Sequence, residues 1–227
     1  MAVDPAGSVY VTGYSGYYFS DYMDHSTCRT IKYDLNGNLE WMVVYHGDFG
    51  REWPLALALD GQGNVIIALR SGRTGYDDSM YDYVTLKYDN QGKQIWQAIY
   101  NGAGNGADAP VALRVDDFDN IYVTGSSAGS GTQVDFATVK YNPNGNELWV
   151  SRWNGSSSVD DFPIGLLLDN EEHIYVAGVR DGWSVDSGRS FVVVKYSAES
   201  GGEEINSGGM GGGGGGGGGC FIMAAGE

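Results

Sequence analysis

The stretch TIKYDLNGNLEW at positions 30–41 returns as TLKYDNQGKQIW at 85–96 and as TVKYNPNGNELW at 138–149. Its Lys-Tyr pair marks a period, with Lys32, Lys87, Lys140 and Lys195 separated by 55, 53 and 55 residues. Trp41, Trp96 and Trp149 keep the same rhythm, as do Asp4, Asp60, Asp116 and Asp169, and Pro54, Pro110 and Pro163. Landmarks that hold one spacing independently indicate a repeat architecture of about four units.

Working outward from the quoted stretch, each unit reads as four short strands. In the second unit PLALALD (54–60) is apolar and ends in the turn GQGN, and VIIAL (65–69) is a continuous apolar run. A polar loop leads to YVTLKY (83–88), then the turn DNQG, then QIWQAIY (94–100). Gly, Asn and Asp clusters arrive at strand-length intervals, and no window of ten residues holds a helical period. The chain is expected to be all-β. DLNGN, DNQGK and NPNGN read as hairpin turns, since Gly and Asn accept the positive φ of tight turns. A calcium loop is the alternative reading, but the later bidentate carboxylate of such loops is missing.

VYVTG (9–13), IYVTG (121–125) and IYVAG (174–178) are apolar on both faces, whereas a sheet wetted on one side would alternate. Four-stranded sheets buried on both sides fit a β-propeller-like array of blades. The units fall at about 1–47, 48–102, 103–155 and 156–200. The first unit has only MAVD for its first strand, and the fourth lacks a Trp-bearing last strand. An incomplete ring is therefore an open alternative, and the start inside a repeat suggests further units upstream. Open blade edges and bare apolar faces are expected to cause self-association.

The pattern GNxYVTG, a loop, DxxTxKYDxNGNxxW and YNG resembles the bacterial seven-bladed β-propeller repeat of the SBBP type, over about positions 2–196. Leu69 stands where the other copies carry the glycine of YVTG, and His46 where they carry the Asn of YNG. The resemblance implies a bacterial cell-surface or secreted protein without assigned catalytic residues.

Thirteen basic against 29 acidic side chains give a net charge of −16, which disfavours nucleic acid and anionic membrane as partners. No signal peptide and no apolar run of transmembrane length is evident in the sequence. Cys28 and Cys220 form no metal-ligand pattern, and Cys28 reads as a buried structural thiol. From position 201 the composition changes: 13 of the 37 glycines lie between 201 and 219, so residues 201–227 are expected to be a disordered, flexible tail. The Cys220-Phe221-Ile222 end of that glycine run resembles a C-terminal motif of bacterial surface proteins, which would give Cys220 an anchoring role.

Binding is expected on the variable loops between second and third strands. The loop at 14–26 combines Tyr14, Tyr17, Tyr18, Phe19 and Tyr22 with Asp21 and Asp24, and Tyr76, Asp77, Asp78 and Trp183 extend the patch. Aromatic rings beside carboxylates suit a glycan or a protein ligand. Calcium held by Asp21, Asp24, Asp77, Asp78 and Asp82 is the alternative to no cofactor. No nucleophile elbow or phosphate loop is present. The expected function is a non-enzymatic binding or scaffold module. The alternative is a glycan hydrolase or lyase using carboxylates on the same face.

Overall fold

The structure is a computed structural model. It describes residues 1–19, 22–48, 50–72, 80–155, 160–181, 189–197, 199 and 220–224, with side chains excepted at 17–19, 22–25, 181, 189–190 and 220–224. All of the regular structure among these residues is strand, in four separate sheets that follow chain order. The first blade is β1 (Ala2–Val3), β2 (Val9–Phe19), β3 (Tyr22–Tyr33) and β4 (Leu39–Tyr45). The second is β5 (Glu52–Leu59), β6 (Val65–Gly72), β7 (Tyr81–Tyr88) and β8 (Gln94–Tyr100). The third is β9 (Asp108–Val115), β10 (Ile121–Ala128), β11 (Val134–Tyr141) and β12 (Glu147–Trp153). The fourth is β13 (Asp161–Leu168), β14 (His173–Asp181), β15 (Arg189–Ser197) and β16 (Cys220–Ala224).

Each blade packs on the next through its first strand. β5 contacts β1, β2 and β3 on one side and β9 on the other, and β9 in turn contacts β13. The result is a propeller-like row of blades that does not close into a barrel.

The quoted stretch builds the hairpin that joins third and fourth strands and then ties two blades together. Asp34 Oδ1 accepts from the backbone N–H groups of Asn36 (2.9 Å) and Asn38 (2.8 Å), and Gly37 turns with φ 82°. Asp89 with Gly92 and Asn142 with Gly145 repeat this geometry. The acidic oxygens are thus engaged by backbone donors, which is turn chemistry. The tryptophan at the end of the stretch reaches the following blade. Trp41 Nε1 donates to the Asn90 carbonyl (2.9 Å) and Trp96 Nε1 to the Pro143 carbonyl (3.0 Å). The sequence recurs because the first and second seams use the same stitch.

The core is three apolar seams between blades. In the first, Tyr10, Cys28, Trp41 and Val43 meet Val65, Ile67, Leu69, Val84 and Leu86. In the second, Ile66, Ala68, Tyr83 and Tyr100 meet Leu113, Ile121, Val123 and Val139. In the third, Tyr122, Phe136 and Trp153 meet Leu166, Ile174, Val176 and Val194. Cys28, 1% exposed, is one of these core side chains, and burial pushes its thiol pKa up, which keeps it protonated.

Two expectations need correcting. The segment at 14–26 is largely not a loop: the two middle strands of the first blade run on as a long hairpin, with Tyr14 opposite Cys28, Tyr17 opposite His25 and Phe19 opposite Tyr22. Its Tyr-rich composition favours extended pairing over the Gly and Asp turn signals it also contains. The tail expected to be disordered to its end includes β16, which runs parallel to β15 with Cys220 opposite Phe191 and Ile222 opposite Val193. The apolar CFIM run fills the fourth place of the blade that lacks its own Trp-bearing strand.

Candidate functional site

Three of the four units carry an acid at the start of the first strand: Glu52, Asp108 and Asp161. Each folds back on the turn that enters its blade. Gly47 N donates to Glu52 Oε1 (3.0 Å), Gly102 N to Asp108 Oδ2 (2.7 Å) and Gly155 N to Asp161 Oδ2 (3.0 Å). A side chain at Gly47 or Gly102 would strike the acid and the serine beside it, which is why the YNG and YHG turns need glycine. These acids belong to no recognisable motif in the sequence, although their spacing of 56 and 53 residues is visible there.

The third unit shows the full constellation. Ser127 Oγ donates to Asp108 Oδ1 (2.5 Å). Arg152, from the fourth strand, lays its guanidinium across the group. Nη1 donates to Tyr100 Oη (2.9 Å) and Ser127 Oγ (2.5 Å), and Nη2 to the Ser127 carbonyl (3.0 Å) and Asp135 Oδ2 (2.9 Å). Burial raises the pKa of Asp108, and hydrogen bonds from Ser127, Gly102 and Ala128 together with the Arg152 charge pull against that rise.

The second unit has the same frame with a different residue at the position of the arginine. Tyr45, Gly47, Ser71 and Asp82 are the repeat equivalents of Tyr100, Gly102, Ser127 and Asp135, while Ile99 stands at the position of Arg152. Here the structure has a cleft of about 260 Å³, lined by Tyr45, Ser71, Asp82 and Ile99 together with His46, Gly47, Asp48, Gly72, Val84 and Gln97. Glu52 lies behind its wall, fully buried; Oε1 accepts from Gly47 N and Ser71 Oγ (3.1 Å), and Oε2 makes no hydrogen bond. Burial pushes its pKa up to about 7, with hydrogen bonds from Ser71 and Gly47 opposing and the Asp48 charge adding to the rise. Burial also carries Tyr45 to about 12, with Glu52 and Asp48 contributing.

The expected aromatic patch is placed only in part. Tyr17, Tyr18, Phe19 and Tyr22 lie on the far part of the β2–β3 hairpin. Asp21, Tyr76, Asp77, Asp78 and Trp183 lie outside the described residues, as does the side chain of Asp24. The foot of this hairpin touches the second unit: Ser26 Oγ accepts from Glu52 N (2.8 Å) and donates to the Glu52 carbonyl (3.2 Å). The hairpin therefore rises beside the cleft. Among the described residues no group of three or more His, Cys, Asp or Glu is placed to hold a metal ion. Of the calcium set, Asp82 is a wall of the cleft.

The frame defines an all-β, propeller-like array with a polar cleft at the variable end of one seam. No protein-family model and no curated protein matches the chain.

Proposed function

We propose that the chain is a non-enzymatic binding or scaffold module of a bacterial cell-surface or secreted protein, built on SBBP-type repeats, with a glycan or protein ligand at the β2–β3 hairpin and the adjoining cleft. One observation carries the reading: a long Tyr-rich hairpin stands beside a cleft that its own repeat equivalent fills with a side chain. Variation at one end of a constant frame is the usual arrangement of a binding surface. Probing a glycan array and a panel of surface-exposed peptides is expected to give binding without turnover. The double change Tyr17→Ala, Tyr18→Ala should weaken it at least tenfold with the melting temperature nearly unchanged. Unfolding of that variant would mean the rings are core, and the site would be lost.

Glu52 favours the alternative, a glycan hydrolase or lyase, since a carboxyl held near neutrality suits general acid catalysis. Its burial and the use of Oε1 by Gly47 and Ser71 weigh against it, because a catalytic acid must reach the bond it protonates. Product release by the wild type that disappears in Glu52→Gln would reverse the order of the two readings.

The partner set includes a second copy of this chain. Val3, Val11, Met42 and Val44 are exposed on the outer face of the first blade. The second and third blades bury the positions equivalent to Val3 and Val11 against the preceding blade, as Leu59 and Ile67, then Val115 and Val123. At the other end Phe162, Leu167 and Phe191 are exposed on the face that internal blades offer to their successor. The two ends are thus the two halves of a seam the fold already makes three times, and a head-to-tail contact between copies would bury both. Light scattering after size exclusion should show association that strengthens with salt, since each copy carries −16. Val11→Glu or Leu167→Glu alone should give monomers. A wild type that stays monomeric up to hundreds of micromolar would sink this contact.

A further inference from the structure

Each internal seam sets one large residue against one small one at a fixed place in the repeat. At the second seam Tyr83, on the third strand of its blade, reaches over Gly125, on the second strand of the next; its hydroxyl would lie 2.7 Å from a β-carbon there. At the third seam Phe136 covers Gly178 in the same way. The first seam reverses the sizes, with Cys28 at the aromatic position and Leu69 at the glycine position. The repeat puts Phe191 at the aromatic position of the fourth blade and Gly13 at the glycine position of the first. Phe191 is 43% exposed. Gly13 is exposed as well, and among the described residues no atom lies within 4 Å of where its β-carbon would be. The two ends of the row thus hold one ring and one socket of the kind that internal seams bring together.

We propose that Phe191 of one copy enters the socket over Gly13 of a second copy, and that two copies close through two such seams into a ring of eight blades. The inference rests on the head-to-tail reading above, and adds to it the residue pair that sets the register and the number of copies. The occupant follows from self-complementarity, since both halves belong to one chain and match in size as Tyr83 and Gly125 or Phe136 and Gly178 do. Their surroundings match as well. Phe162 and Leu167 are exposed apolar side chains on the blade that carries Phe191, and Val3, Val11 and Met42 are exposed on the blade that carries Gly13. Arg29 is the one charged side chain opposite Gly13 in the register, and it is drawn aside: its Nε donates to Ser15 Oγ (2.5 Å) and its Nη1 to Met42 Sδ (3.8 Å). Aromatic rings seated in a close-fitting apolar recess are the usual anchors of protein interfaces.

The number of copies follows from blade arithmetic. A contact between two different faces is heterologous, so it either closes on itself or propagates into a filament. Propellers close with about four to eight blades, and chains of four blades reach that range only singly or in pairs. In the single chain both the ring of Phe191 and the socket at Gly13 stay exposed, which leaves the pair. In the closed pair each copy gives one ring and receives one, so no apolar blade face remains open to water.

The test is sedimentation velocity of the whole chain at rising concentration. The wild type is expected to populate monomers and pairs and nothing larger. Phe191→Ala removes the ring and should weaken the pair at least about tenfold, the usual effect of truncating an aromatic anchor. Gly13→Leu fills the socket and should weaken it as much. The chain carrying both changes should regain most of the loss, because it sets a large residue against a small one with the sizes reversed, as Leu69 and Cys28 do at the first seam. Melting curves taken at dilution, where the chains are separate, should be nearly the same for all of these variants, since both positions are exposed in the single chain. Should Gly13→Leu fail to fold, Phe191→Ala and Phe191→Tyr carry the test, the tyrosine keeping the pair as Tyr83 keeps its seam. A wild type that stays monomeric up to hundreds of micromolar would sink this inference together with the head-to-tail reading. Association that Val11→Glu or Leu167→Glu abolishes, but that Phe191→Ala and Gly13→Leu leave untouched, would keep that reading and remove this one. Species larger than a pair that grow with concentration would overturn the closed ring.

Discussion

Leu69→Gly is expected to cost roughly 3–5 kcal/mol of unfolding free energy, and adding Cys28→Tyr to return at least about 2 kcal/mol of it. The reason lies in a size exchange across the seams. At the second seam Gly125 faces Tyr83, whose hydroxyl would lie 2.7 Å from a β-carbon at that glycine. At the third seam Gly178 faces Phe136 in the same way. At the first seam the large residue is on the other side: Leu69 fills the space and Cys28 stands opposite, both in one buried cluster. Removing the leucine alone leaves a cavity with little to collapse into it, in a strand where glycine also costs backbone entropy. Adding the tyrosine alone overfills the seam, at about 1–3 kcal/mol. Together they recreate the second seam, where Tyr83 passes over its glycine to donate to the Ser126 carbonyl at 3.1 Å. The introduced hydroxyl would meet the equivalent carbonyl of Arg70. Urea unfolding of the two single variants and the double variant completes the cycle. Strictly additive losses would show that Leu69 and Cys28 do not share a contact.

That pair also marks what the sequence makes legible. The period, the four strands per unit, the hairpin turns and the apolar seams follow from local signals, because turn residues and strand composition act over a few positions. Leu69 and Cys28 each depart visibly from their repeat, yet their 41-residue separation hides that one departure compensates the other. The cleft was less legible still. It is made by what Ile99 does not supply, and this matters only once Tyr45 of one blade and Ser71 and Asp82 of the next have been brought to one place. The hairpin at 14–26 looks like a loop in the sequence because Gly and Asp signal turns, while the tyrosines that pair across it carry the stronger strand preference. The strand at Cys220–Ala224 was hidden by the polyglycine before it, since composition sets chain stiffness but says nothing about where a distant apolar run can dock.

The second large effect comes from another departure inside the repeat. In the first, third and fourth units a tyrosine hydroxyl donates to the turn aspartate: Tyr10 to Asp4 (3.1 Å), Tyr122 to Asp116 (3.0 Å) and Tyr175 to Asp169 (3.1 Å). The unit's lysine lies over that tyrosine ring, at 5.3 Å for Lys32 and 5.1 Å for Lys140. The second unit carries Ile66 instead of the tyrosine, so Lys87 swings to the aspartate itself. Its Nζ lies 2.8 Å from Asp60 Oδ2, both side chains are almost wholly buried, and it also donates to the Pro143 carbonyl of the next blade (3.1 Å). Burial alone would raise the pKa of Asp60, but hydrogen bonds from Lys87 and Asn64 hold it below the usual carboxylate value. Lys87→Met removes one charge of a buried pair and strands the other, which costs about 3–5 kcal/mol at pH 7. Lys32→Met, at an ion pair with the half-exposed Glu40, should cost no more than about 1 kcal/mol. Lys87→Met with Asp60→Asn should recover most of the loss, because Asn142 shows that an amide side chain can hold a turn of this kind. The pH dependence has opposite signs in the two chains. In the wild type the lowered pKa of Asp60 contributes stability above the unfolded carboxylate pKa, and that contribution is lost as pH falls through the folded value. In Lys87→Met the buried, unpaired carboxyl has a raised pKa, so its penalty is absent below the unfolded value and grows as pH rises through the folded one. The stability gap between the two chains should therefore narrow by at least about 1 kcal/mol between pH 7 and pH 4. A gap that is constant over that range would mean Lys87 acts through the Pro143 carbonyl and the seam between blades, not through Asp60.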